Sequence, residues 1–429
     1  MNRTIYASLL AALILGGCSG KSLDSDVPPA KSSSEDVPGV SWLSRAMTDA
    51  YLRSQVWTGT RSGFVVMFAR KGQPIYTNAV GWANIEAEQA MQVDTRMRFA
   101  SMTKPVTAVA AMTLVEDGVL GLDDPVAKYI PAFAATQVAS NHTRNSRGGF
   151  DTREPKSELL VRHLLMFSSG IGPGIEANPS ELHKYWDKNT LYTDSSESLA
   201  DRINRIAAQP LFEDPGTKWR YGWSADVLAR VVEVASGIPY DSFLKATIFA
   251  PLGMDATSYL PAVGGRANMA KVYTQDEEGN LVKAPARIDA SNWTPGGSGL
   301  VSTAGDYMRF ALMLWNGGEY QGARILKEET IAEMTRLHVS SGVLAGMDID
   351  GVGWGLGMAV MADAENSLIP GNNGEYWWNG YYGTTFFVDP QTDTVGVLLS
   401  QNEPKGLDGD GGPTPLFVAK GIVMGGLGD

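Results

Sequence analysis

The chain has 429 residues, 44% of them hydrophobic and 19% charged, enough for one large enzyme domain or for two to four smaller ones. Thirty-five basic residues against 47 acidic ones leave a net charge of −12, which argues against nucleic acid as a partner because phosphate binding needs a basic footprint. A single cysteine, Cys18, excludes an internal disulfide framework and a cysteine-based zinc site, and 48 glycines without a period exclude a collagen-like chain.

The N-terminus comes first. Residues 1–18 read MNRTIYASLLAALILGGC. Arg3 precedes an apolar run from Ile5 to Leu15 that is too short to span a bilayer and stands where a secretory signal stands. The end, Leu15-Gly16-Gly17-Cys18, resembles the bacterial lipobox. That resemblance implies a signal peptide over 1–17, cleavage before Cys18 and lipid on its thiol. Ser19 follows, with no Asp to suggest inner-membrane retention, so an exported lipoprotein facing the periplasm from the outer membrane is expected. Residues 18–40 are rich in Ser, Pro and acids, cannot bury enough surface to fold, and read as a tether. Its length allows a reach of about 70 Å.

A folded body is expected over 41–429. Gly63 to Ala69 and Pro74 to Val80 are short β-rich runs separated by Arg70-Lys71-Gly72, a hairpin signal. Pro105 to Asp117 is apolar and Ala-rich and stops at Gly118, which reads as a buried helix. Leu159 to Met166, Ala225 to Ala235 and Tyr307 to Trp315 also carry helical periodicity. Thr384 to Val388 and Thr394 to Leu399 are β-type runs around Asp389-Pro390. Strands at both ends with helices between predict one antiparallel sheet built from both termini, with a helical insert over roughly 130–290.

The chemistry narrows by exclusion. His142, His163, His183 and His338 form no HxH or HxxxH spacing, so a zinc hydrolase is not indicated. No serine sits in G-x-S-x-G, so the nucleophile elbow is absent. Ser-x-x-Lys remains. On a helix, i and i+3 share a face, and a lysine there can take the serine proton. With 32 serines and 15 lysines, chance supplies about one such spacing; there are two. Ser242 to Lys245 lies in an ordinary surface run, Tyr240 to Phe249. Ser101-Met102-Thr103-Lys104 stands at the entry to the buried helix, with Pro105 in its first turn. There, helix N–H groups can also stabilise an oxyanion.

Around Ser101 the chain resembles the serine β-lactamase-like hydrolases: class C β-lactamases, penicillin-binding D-Ala-D-Ala peptidases and family VIII carboxylesterases. The resemblance begins with residues 95–125 and continues in order. Val161-Arg162-His163-Leu164-Leu165 with Ser168-Ser169-Gly170 comes next, followed by residues 215–237, Pro251 to Met254, Gly296 to Arg309 and Tyr376 to Pro390. It implies an α/β sandwich around a central antiparallel sheet, of the β-lactamase/transpeptidase type, with an all-α insert and no cofactor. It also implies Ser101 as nucleophile, Lys104 as base and Tyr221, opening Tyr221-Gly222-Trp223, as the catalytic tyrosine. Trp378-Asn379-Gly380 matches the third motif, with the N–H groups of Ser101 and Tyr381 as the oxyanion hole.

Two departures bear on the substrate. Trp223 replaces the Asn of Tyr-x-Asn, and Trp378 stands where relatives carry Lys-Thr-Gly. Both losses weaken recognition of anionic amides more than of a neutral ester, and the motif is nearest to family VIII esterases, which commonly carry Trp-Gly-Gly. Asn379 departs from that pattern and is expected to narrow the pocket or add a donor. Phe167, where relatives often carry His, is expected to pack. Of Trp377, Trp378, Tyr381 and Tyr382, strand alternation should send about half to the core. The expected function is therefore a serine carboxylesterase acting on a small-molecule ester. The alternatives are an amide-directed relative (D-aminopeptidase, DD-peptidase, β-lactamase or ω-amino-acid oligomer hydrolase) and a penicillin-recognising protein that turns over slowly.

Overall fold

The computed structural model describes residues 40–174, 178–190, 197–259, 268–285, 294–340, 350–404 and 415–427. The segment read as a signal, Cys18 and the tether up to residue 39 lie outside them. No described helix is long and apolar enough to cross a membrane.

A helix, α1 (Trp42–Trp57), opens the described chain, capped by the Ser41 side chain and buried along Ser44, Thr48, Leu52 and Val56. That i, i+4 stripe is half polar, which hides it from a hydrophobicity reading. The expected hairpin follows as β1 (Gly63–Arg70) and β2 (Gln73–Asn84), then a short β3 (Gln89–Ala90). The predicted buried helix is α2 (Thr103–Glu116), ending before Gly118 with its φ of 69°. Next come α3 (Val161–Leu165), α4 (Glu181–Thr190), α5 (Leu199–Ala207), α6 (Ser224–Ser236) and α7 (Tyr240–Leu244). The first of these is shorter than its apolar run, because Phe167 turns the chain left-handed at φ 54°. The strand β4 (Leu300–Ser302) leads into α8 (Ala304–Trp315), which starts earlier than its periodicity suggests because Thr303 caps the Asp306 N–H. The chain closes with β5 (Val352–Trp354), β6 (Ala359–Met361), β7 (Tyr376–Gly380), β8 (Thr384–Asp389), β9 (Thr394–Leu399) and α9 (Pro415–Gly425).

The main sheet has eight strands in the order β5-β6-β7-β8-β9-β1-β2-β3, and each adjacent pair is antiparallel. The N-terminal hairpin joins the C-terminal strands at its centre, with Val65 opposite Leu399. Side chains alternate faces along a strand, and β8 shows what each face meets. Phe386 packs on Tyr307 of α8, while its neighbour Phe387 meets Lys420 of α9. The terminal helices α1 and α9 pack on each other, and both lie on the Phe387 side. The site lies on the α8 side, where the sheet meets the α2–α6 helix pair.

Candidate active site

Ser101 sits in a single 3-10 turn, Ala100–Met102, that runs straight into α2. Ala100 is held at φ 45°, a left-handed conformation that costs a residue with a Cβ roughly 1–2 kcal/mol. The surroundings fix the turn: Phe99 N–H donates to the Leu300 carbonyl at 2.9 Å, and Tyr307 Oη donates to the Met102 carbonyl at 2.9 Å. The end of β7 presses on it. A Cβ on Gly380 would overlap the Phe99 carbonyl and Thr384 Oγ1, so only glycine fits there.

Lys104 follows one helical turn later on the same face, and its side chain is buried. Its Nζ lies 2.9 Å from Ser101 Oγ and 2.8 Å from the Gly297 carbonyl oxygen. It also stands 4.5 Å from the centre of the Tyr221 ring. Burial of an amine that touches a hydroxyl, a carbonyl and an aromatic ring is costly unless those contacts compensate it. The arrangement therefore holds the amine against the serine.

Tyr221 precedes α6 and is half-buried. Its backbone is set by a close approach: a Cβ on Gly222 would overlap the Ile171 carbonyl and come within 3.0 Å of Gly172 Cα. Phe167 stacks under the Tyr221 ring at 5.6 Å and 17°, so it packs as expected. Trp378 meets the same ring at 5.6 Å and is itself wedged edge-on against Trp354 at 4.6 Å.

A cavity of about 210 Å³ opens at these residues. Ser101, Lys104, Tyr221 and Trp223 line it, together with Pro173, Gly174, Asp226, Gly297 and Ser298. Among the described residues, the third motif does not reach the lining. Trp378 backs Tyr221 instead of walling the cavity. Asn379 is turned to the other face, where its Oδ1 accepts from Thr385 Oγ1 across the β7–β8 pair. The expected narrowing or extra donor at Asn379 is therefore not seen. Trp377 shares that far face and packs on Phe417 of α9, while Tyr381 is 42% exposed and meets Tyr382 edge-on. Ser242 and Lys245 are both exposed, away from the cavity.

Two charged residues escaped the sequence reading, Asp226 in the lining and Arg202 behind it. Asp226 is 1% exposed, and Gly297 donates its N–H to Asp226 Oδ1 at 3.4 Å. Burial pushes the Asp226 carboxyl up from its ordinary value, while Arg202 and Lys104 act in the opposite direction. Arg202, fully buried on α5, lies 4.9 Å over the Trp223 ring. The available signal was an aspartate inside the apolar run Ala225 to Ala235's first turn, five residues after the tyrosine.

An eight-stranded antiparallel sheet with a serine, a buried lysine and a tyrosine gathered at its helical flank defines a hydrolase of the β-lactamase fold. The chain belongs to the Beta-lactamase family, which it matches over residues 48–416. It is similar to Esterase EstB of Burkholderia gladioli, with 29% identity over 377 residues covering 83% of this chain and 89% of that one. Among solved structures it resembles EstCE1, described as a hydrolase with promiscuous acyltransferase activity, at a TM-score of 0.73 and 27% identity, covering 89% of this chain and 99% of that one. It shares the fold of simvastatin synthase (LovD) from Aspergillus terreus, at a TM-score of 0.75 and 22% identity, covering 89% and 98% of the two chains.

Proposed function

We propose that the protein is a carboxylesterase that works through an acyl-enzyme on Ser101. The observation that carries this reading is the 2.9 Å contact between the buried Lys104 Nζ and Ser101 Oγ at the wall of the cavity. In the neutral amine form, Nζ accepts the hydroxyl proton as Oγ bonds to the ester carbonyl carbon. The tetrahedral oxyanion is assigned to the N–H of Ser101 and to that of Tyr381, whose neighbour Gly380 packs on the turn bearing Ser101. Collapse breaks the bond to the alcohol oxygen, which leaves with a proton passed from Lys104 through Tyr221. In the second half, water gives up a proton by the same route, attacks the acyl carbon and releases the acid, and Ser101 regains its proton.

The ester preference is supported by Trp223, an indole packed on Arg202 at the cavity wall where amide-cleaving relatives carry an asparagine. The similarity to EstB and EstCE1 points the same way. Export and attachment to the outer membrane through lipid on Cys18 complete the proposal, and the lipobox-like ending supports them.

The test is a side-by-side assay of p-nitrophenyl butyrate, nitrocefin and a D-Ala-D-Ala peptide on one preparation. Rapid ester cleavage with little nitrocefin turnover is expected. A peptide rate well above the ester rate would replace this reading with the amide-directed one.

A further inference from the structure

A buried carboxylate in a cavity wall is expensive unless it is paired, and Asp226 has no role in the proton transfers described above. Its neighbours suggest one. The Gly296-Gly297 backbone crosses the gap between α2 and α6 so closely that a side chain on either glycine would collide with a neighbour. A Cβ on Gly296 would overlap the Ala225 carbonyl, and one on Gly297 would come 2.7 Å from Asp226 Oδ2. The peptide unit joining the two glycines is held at both ends. Its carbonyl, on Gly296, accepts from Thr107 Oγ1 at 2.6 Å. Its N–H, on Gly297, donates to Asp226 Oδ1 at 3.4 Å. With that unit fixed, the next carbonyl, on Gly297, is aimed at Lys104 Nζ, 2.8 Å away. The amine thus has two oxygen partners, one on the reacting serine and one on a backbone that Asp226 anchors.

We infer that Asp226 is a positioning residue for acylation, fixing Gly297 so that its carbonyl holds Lys104 Nζ against Ser101 Oγ. The inference rests on the acyl-enzyme reading above. Asp226 does not touch the serine and carries no proton in the reaction. It acts through Gly297; burial pushes its carboxyl up, and the buried Arg202 pulls in the opposite direction. A glycine pair is suited to this because two ordinary residues could not pass between the helices.

The test compares Asp226→Ala, Asp226→Asn and Gly297→Ala in the full chain. It measures p-nitrophenyl butyrate kinetics and the rate of fluorophosphonate labelling of Ser101, followed by intact mass. Asp226→Ala is expected to lower kcat about 10²-fold, the cost of misplacing a catalytic group by about 1 Å. KM should stay within about threefold, since Ser101, Tyr221 and Trp223 of the lining are retained, and labelling should slow in parallel. Asp226→Asn keeps an oxygen for the Gly297 N–H and should recover most of the rate. Gly297→Ala must displace the carboxylate and should reproduce the kcat loss, which keeps the test open if Asp226→Ala fails to fold.

Unchanged kcat in folded Asp226→Ala would overturn the assignment. So would a loss confined to KM, or equal losses in the Ala and Asn variants, which would make Asp226 only a counter-charge for Arg202. These results differ from failure of the esterase reading itself, in which the unaltered chain neither cleaves the ester nor takes the label at Ser101.

Discussion

At the residue scale the chemistry turns on a few contacts around one amine. Lys104 Nζ has a hydroxyl, a carbonyl and an aromatic ring about it, and only the hydroxyl belongs to the proposed nucleophile. Ser101→Ala should abolish p-nitrophenyl butyrate hydrolysis, a loss of about 10⁴-fold or more, because the groups act as a unit. Tyr221→Phe keeps the ring against Lys104 but removes the proton carrier, so kcat should fall by about 10²–10⁴-fold with the thermal midpoint little changed. Trp223→Asn restores an amide at the cavity wall, and the ratio of nitrocefin to ester turnover should rise by roughly tenfold or more. An unchanged ratio would separate Trp223 from substrate choice. The Ser-x-x-Lys pair was legible because i, i+3 spacing is a local property of a helix. Asp226 was not, since its partners lie 71 residues away on Gly297 and on a different helix at Arg202.

At the element scale, β7 and α9 carry the clearest consequences. The end of β7 touches the turn bearing Ser101 through Gly380. Gly380→Ala should therefore push that turn and lower kcat by about 10²-fold, read against a near-normal far-ultraviolet spectrum. On the far face, Glu375 of the loop before β7 pairs with Lys420 of α9, and both are buried. Burial pushes the Glu375 carboxyl up from 4.5 to about 7, against the pull of Lys420. A carboxyl raised in the folded state binds its proton more tightly there than in the unfolded chain. Its contribution to stability should then be fullest below about pH 4.5 and be lost as pH rises through about 7. Thermal midpoints measured across that window should lose this slope in Glu375→Gln. Lys420→Met strands the acid, and should cost about 3–5 kcal/mol at neutral pH in denaturant unfolding. Neither partner was singled out in the sequence, because the pairing joins segments 45 residues apart. The hairpin β1–β2, the helix α2 and the strands β8 and β9 were legible, since each carries its own period and its own stop signal. The helix α1 was not, for half of its buried stripe is Ser44 and Thr48.

At the scale of the whole molecule, the two ends of the chain close one sheet. β1 lies between β2 and β9, so the first strands cannot be removed without opening the centre. The single thiol, Cys18, precedes every described residue. Iodoacetamide should leave ester hydrolysis unchanged, and a fall in rate would show that the segment around Cys18 bears on the site. The sequence by itself determined the local pieces: the strands at both ends, the helices between, the serine and lysine one turn apart, and the ordered motifs that mark the family. Those follow from periodicity and spacing over short stretches, where side-chain direction is set by the local backbone. Only the tertiary structure decided which face each motif residue takes. It sent Asn379 to Thr385 and Trp377 to α9, set Trp378 behind Tyr221, and brought Asp226 and Gly297 to the lysine. Such contacts depend on strand register and on backbones packed within van der Waals reach, which no local pattern encodes.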